Sequence, residues 1–197
     1  MFPDELQEFQ NAFTNFVVKD VEKSLKGDLE VGTIILVAIG IECLSGYYAG
    51  KESNRQTFVK FLSDFLPIYA PHADNIYACI RDGLAHDYII KDVRGKSFRF
   101  TRDKGEAHLT AVEGNPEWFY INRETFAQDF LAAQFAYFKE LRTNIDLQKK
   151  AIRRLQKRSF LSVFPRDKAG IIFSDSSESD SDYPMVTGTY PPSSPKF

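Results

Sequence analysis

The segment from Leu29 to Gly50 constrains the fold more than any other part of the chain. Its spacing predicts a helix, and the helix is apolar on most sides. A surface helix needs one polar face, so a helix without one has to be enclosed by other elements. The longest apolar run within it, Val31–Ile41, is broken by Glu42. Those residues fall short of the roughly 20 that cross a bilayer. The expectation is a buried central helix rather than a membrane span.

The chain supplies helices to surround it. Phe9, Phe13, Phe16, Val17 and Val21 recur at helical spacing between Pro3 and Gly27. Pro is favoured in a first turn, and Gly follows a last one. Ser53 to Leu66 reads as a third helix, with Ser53 as its N-cap, Pro67 past its end, and Phe58, Phe61, Leu62 and Phe65 on its apolar face. His72 to His86 reads as a fourth, striped by Ile76, Tyr77, Ile80 and Leu84. The 18 Phe and 9 Tyr of the chain fall mostly on these faces, which predicts a densely aromatic core.

The period then changes from helical to two. Phe98 and Phe100 alternate with Arg99 and Thr101, and Leu109–Val112 and Trp118–Ile121 are two more short strand candidates. Gly95, Gly105 and Gly114 punctuate the stretch. The reading is a small antiparallel β-meander over about 88–122, inserted before the last long helix, with one face laid on the helices. Trp118, Phe119 and Tyr120 are consecutive and cannot share one side of a strand, so at least one is expected to be exposed. Asn122 or Thr125 can cap the last helix. Its apolar positions Phe126, Phe130, Ala133, Tyr137, Leu141, Ile145, Ile152 and Leu155 carry it to about Arg158. The fold class is mainly α, with one helical domain over residues 1–160.

Charge divides the rest. The total of 25 Lys and Arg against 27 Asp and Glu excludes a histone-like binder, but it is an average over unlike parts. Residues 147–168 hold eight Lys or Arg and one Asp. Lys149, Lys150, Arg153, Arg154, Lys157 and Arg158 are therefore candidates to track a phosphate backbone, against the plainer reading of a solvated helix end. Residues 174–182 carry four acidic residues among serines, and Pro191, Pro192 and Pro195 follow. Residues 165–197 thus read as a disordered acidic Ser/Pro-rich tail. It is either a solubilising segment or one that folds back on the basic helix end.

Other classes find little support. Residues 1–20 lack a basic start followed by an apolar block, so a cytoplasmic protein without membrane attachment is expected. Cys43 and Cys79 are then expected as free buried thiols rather than a disulfide. His72, His86 and His108 lie on different elements, and the cysteines lack metal-ligand spacing. No Gly-rich phosphate loop or hydrolase elbow is present. No cofactor is expected. Glu42, inside an apolar helix, needs a partner; Arg81 and Tyr48 are the candidates.

The sharpest motif runs from Ile80 to Tyr88. Arg81, followed by Asp82, is separated from His86 by four residues that include Gly83, near the end of a helix. With a helical bundle around it and a further helix after it, this pattern resembles the HEPN superfamily. Those proteins are small helical bundles, many with an Arg-x4-6-His motif and a polar residue after the Arg. The resemblance covers about residues 5–88 and 123–145, and the strands lie outside the superfamily's common core. It implies a metal-independent endoribonuclease, such as a toxin or defence effector, in which a 2′-OH attacks the neighbouring phosphate. His86 would be the general acid–base and Arg81 the phosphate clamp. Asp82, Glu42, Asp87 and Tyr88 would support them. It also implies a homodimer through the motif-bearing helix, RNA as substrate, and an antitoxin or regulatory protein as a further partner. The alternative is a non-catalytic HEPN-like module for dimerisation or for binding RNA or nucleotides. Geometry adds a condition. Residues five apart on an α-helix point about 140° apart. Arg81 and His86 converge only if the helix loosens near Gly83 or a second protomer completes the site.

Overall fold

In the computed structural model, residues 2–85, 90, 95–102 and 105–157 are described. Among the described residues, five helices enclose or flank a central sixth, and a three-stranded sheet packs beside them. Helix α1 is continuous through Asp4–Phe13, a π-wound stretch Thr14–Val18, and Lys19–Lys26. Helix α2 is Glu30–Ala49. Helix α3, Arg55–Phe65, is capped by Asn54 rather than Ser53: the Asn54 side chain accepts from Thr57 N–H while Thr57 Oγ1 accepts from Asn54 N–H. Such a reciprocal box satisfies two orphan donors at once, whereas the Ser53 hydroxyl pairs with Ser45 at 2.6 Å. A 3₁₀ turn, Pro67–His72, leads into α4, which starts as Ala73–Asn75 and is π-wound over Ile76–Leu84.

Helix α2 touches α1, α3, α4 and both helices that follow the sheet, as expected of a helix without a polar face. By length and composition it is apolar enough to cross a bilayer, because apolar residues continue past Glu42. Over half of that window is nonetheless buried in the protein, as in a core helix. Phe9 stacks on Tyr47 with ring centres 4.0 Å apart, and Phe9 and Phe13 both pack on Phe138. Gly40 lets α2 approach the helix after the sheet: a Cβ there would lie 2.4 Å from the ring of Phe130. Cys79 is buried, Cys43 is half-buried, and neither forms a disulfide.

The sheet departs from a meander. Strands β1 (Ser97–Thr101), β2 (Ala111–Val112) and β3 (Asn115–Asn122) lie in the order β1-β3-β2. β1 runs parallel to β3, pairing Phe98 with Phe119 and Phe100 with Ile121. Only β2 and β3 form an antiparallel hairpin, which turns at Gly114 with φ 76°. Alternation fixes which face a strand buries but not its direction. Here the parallel register sets Phe98 and Phe100 beside Phe119 and Ile121, and all four pack on the core. The connection from β1 crosses to the far edge of β3, where Leu109 N–H donates to Tyr120 O at 2.7 Å. Trp118, Phe119 and Tyr120 are all half-buried.

The last helical stretch is two helices, not one. Asn122 caps α5 (Arg123–Thr143) by accepting from Thr125 N–H. Asn144 leaves helical geometry at φ −96°, ψ 101°, and its side chain accepts from Leu147 N–H to start α6 (Ile145–Lys157). An Asn that bonds its own downstream backbone competes with helix continuation. Asp28, between α1 and α2, ties three regions together: it pairs with Arg102 after β1 and with Arg123 at the start of α5. Its φ of 59° is one that Asp tolerates better than most residues.

Candidate functional site

The described part of the motif lies on α4, against α2. Arg81 is mostly buried, and its guanidinium is held on three sides. Nη2 donates to Glu42 Oε1, and Nη1 donates to Asp82 Oδ1 at 2.5 Å. The guanidinium carbon sits 5.4 Å from the ring centre of Tyr77, which is itself fixed edge-on to Phe58. The hydrogen bond to Glu42, foremost, raises the Arg81 pKa further, against the opposing effect of burial. Glu42 thus has Arg81 as its partner, while Tyr48 donates to Asp64 at 2.6 Å. In the sequence Tyr77 reads only as part of the apolar stripe of this helix, not as a site residue. Its position four residues before Arg81 is the signal that finds it.

The winding of α4 bears on the motif's geometry. In a π-helix the hydrogen bonds run i→i+5 and the turn is wider, so residues five apart return close to one face. In an α-helix they diverge by about 140°. The π-winding extends from Ile76 to Leu84 and therefore includes Arg81 and Gly83. His86, Asp87, Tyr88 and Arg158 lie outside the described residues, as do residues 165–197.

Helix α6 places the basic residues unevenly. Lys149, Lys150, Arg153 and Lys157 are exposed, and Lys149 pairs loosely with Asp146 at 3.7 Å. Arg154 is half-buried against α2, where a Cβ on Gly46 would lie 3.4 Å from its Nε. Its charge lies beside Cys43, whose thiol burial nevertheless pushes up to about 12. Arg154 thus packs against α2, unlike its four exposed neighbours. Lys150 turns to α2, with Nζ 5.8 Å from the ring centre of Tyr48.

A second polar cluster, unmarked by any sequence motif, joins the sheet to the bundle. His108 Nδ1 accepts from Asn122 N–H at 2.9 Å. Its Nε2 must then carry the proton and donates to the Tyr69 hydroxyl at 2.9 Å, which donates to Asp129 at 2.7 Å. Burial, foremost, holds the His108 pKa below its ordinary value. Among the described residues, no three His, Cys, Asp or Glu side chains are grouped to hold a metal ion.

No protein-family model, curated protein or solved structure matches this chain.

Proposed function

We propose that the chain is a metal-independent endoribonuclease of HEPN type, with Arg81 and His86 as its working pair. The observation that supports the reading is the π-winding from Ile76 to Leu84, which widens the helix at Arg81 and Gly83, within the stretch where an Arg-x4-His spacing would have to loosen. Such π-winding is rare within helices and recurs at functional sites. The pre-set orientation of Arg81 adds support. Glu42 and Tyr77 fix its direction, while Asp82, with a side chain 41% exposed against 25% for Glu42, is the partner that a phosphate would displace. Arg81 would then bind phosphate with Nη1 while Nη2 stays on Glu42. His86 would take the 2′-OH proton as that oxygen attacks phosphorus. A proton returned to the departing 5′-oxygen completes the step and leaves a cyclic phosphate and a 5′-hydroxyl.

A second reading has its own observation. Both terminal nitrogens of Arg81 already donate to carboxylates, as they would in a purely structural ion-pair network. This favours a non-catalytic module that uses the same bundle for dimerisation or binding. Incubation with RNA in EDTA, beside Arg81→Ala and His86→Ala, separates the two. EDTA-resistant cutting that both substitutions abolish supports the enzyme. The absence of cutting by the wild type supports the module. Light scattering tests the homodimer.

A further inference from the structure

A pocket of about 270 Å³ lies between the end of α2, the start of α3 and α6. Tyr48, Ala49, Lys51, Gln56, Lys60 and Lys150 line it. Its position is unrelated to the Arg81 motif. Three lysines from three separate stretches of chain converge on it, and two of them are organised around one ring. Lys60 Nζ is 5.7 Å and Lys150 Nζ is 5.8 Å from the centre of the Tyr48 ring. The ring is held by edge-on packing against Phe61 and Phe65. Its hydroxyl donates to Asp64, which also accepts from Lys60 at 2.9 Å.

The charges do not cancel. Asp64 neutralises Lys60, but neither Lys51 nor Lys150 pairs with a carboxylate among the described residues. Apolar surface from Tyr48 and Ala49 forms the wall beneath these ammonium groups. A pocket that joins an apolar wall to a convergent set of fixed charges suits a ligand with one flat apolar part and one anionic part. Its volume of about 270 Å³ lies just below the roughly 300–1,000 Å³ of pockets that enclose drug-sized ligands, which suits a small ligand held against an open wall. Gly50 sets the geometry: with φ 71° it ends α2 and lets the backbone of Lys150 approach to 3.0 Å of where a Cβ would stand. Lys150 is thereby placed over Tyr48.

We propose that this pocket binds an organic phosphate of nucleoside-monophosphate type, with its phosphate among Lys51, Lys60 and Lys150 and its flat body against Tyr48 and Ala49. The same chemistry is offered by a free mononucleotide and by the 5′-phosphorylated end of a strand. The site does not depend on the nuclease reading.

The test is calorimetric titration of the full chain with adenosine 5′-monophosphate, inorganic phosphate, adenosine, and a short RNA with or without a 5′-phosphate. The mononucleotide is expected to bind more tightly than either of its parts, and more weakly as salt rises. Lys51→Ala and Lys150→Ala are each expected to weaken it about tenfold or more. Both lysines are exposed, so thermal unfolding should be unchanged. Lys149→Ala, on the same helix but off the pocket, should leave the affinity for the mononucleotide unchanged. Tighter binding of the mononucleotide than of the phosphorylated strand assigns the free nucleotide, and the reverse order assigns the strand end. The proposal is overturned by no mononucleotide binding, by binding equal to that of inorganic phosphate, or by equal losses in Lys149→Ala and Lys150→Ala.

Discussion

Glu42 and Arg81 form an ion pair between α2 and α4 in which both side chains are mostly buried, at 25% and 20% exposed. Glu42 stands in the most apolar helix of the chain, and without Arg81 it would be a nearly uncompensated charge. Glu42→Ala would leave Nη2 of Arg81 short of a partner, so a loss of about 1–3 kcal/mol is expected in denaturant unfolding. Arg81→Ala on top of Glu42→Ala should cost less than the sum of the two, because the pair is broken once. Strict additivity would show that the pair contributes nothing.

The His108 chain gives a pH dependence with a definite sign. Asn122 N–H points at Nδ1, so a proton there would set two donors against each other. Asp129, beyond Tyr69, pulls the other way, but burial dominates and the folded pKa lies below the ordinary value. The unfolded chain therefore binds the proton first. The stabilising contribution is present above about pH 6.5 and is lost as pH falls below it. His72, half-buried against Phe119 and near Lys96, acts with the same sign. Unfolding free energy is expected to decline from about pH 7 to 5, and His108→Gln should flatten part of that slope. An unchanged slope in the variant would rule His108 out as a source.

Gly40 and Phe130 set the spacing of α2 and α5. A methyl group at residue 40 would meet the Phe130 ring at 2.4 Å, and a buried ring between two helices has little room to yield. Gly40→Ala is expected to cost about 1–3 kcal/mol through overpacking, despite the better helix propensity of Ala. Adding Phe130→Leu should recover part of the loss. Calorimetric melting of the two variants decides this.

What could be read from residues alone follows from what each signal contains. The central place of α2 was legible, because no other position suits a helix without a polar face. Glu42 needed a partner for the same reason, and Arg81 was one of two candidates named. The faces of β1 and β3 were legible from alternation, but the parallel pairing was not, since period two is blind to strand direction. The break at Asn144 was hidden because Leu141, Ile145 and Ile152 keep a helical rhythm across it. The π-winding of α4 leaves no mark in a pattern read at 3.6 residues per turn. The Tyr69–His108–Asp129 chain joins residues 39 and 60 apart, and spacing says nothing about such distant partners. His86 was legible only as part of a motif.

The most direct measurement is the chemistry of the RNA ends. The purified chain is incubated with RNA in EDTA, beside Arg81→Ala and His86→Ala, and the products are examined by mass. Fragments ending in a 2′,3′-cyclic phosphate, with 5′-hydroxyls on the other side, are expected from the wild type. A fall of about 100-fold or more is expected in each variant. Intact RNA with the wild type, or cutting at the wild-type rate by either variant, would contradict the assignment of Arg81 and His86 to catalysis.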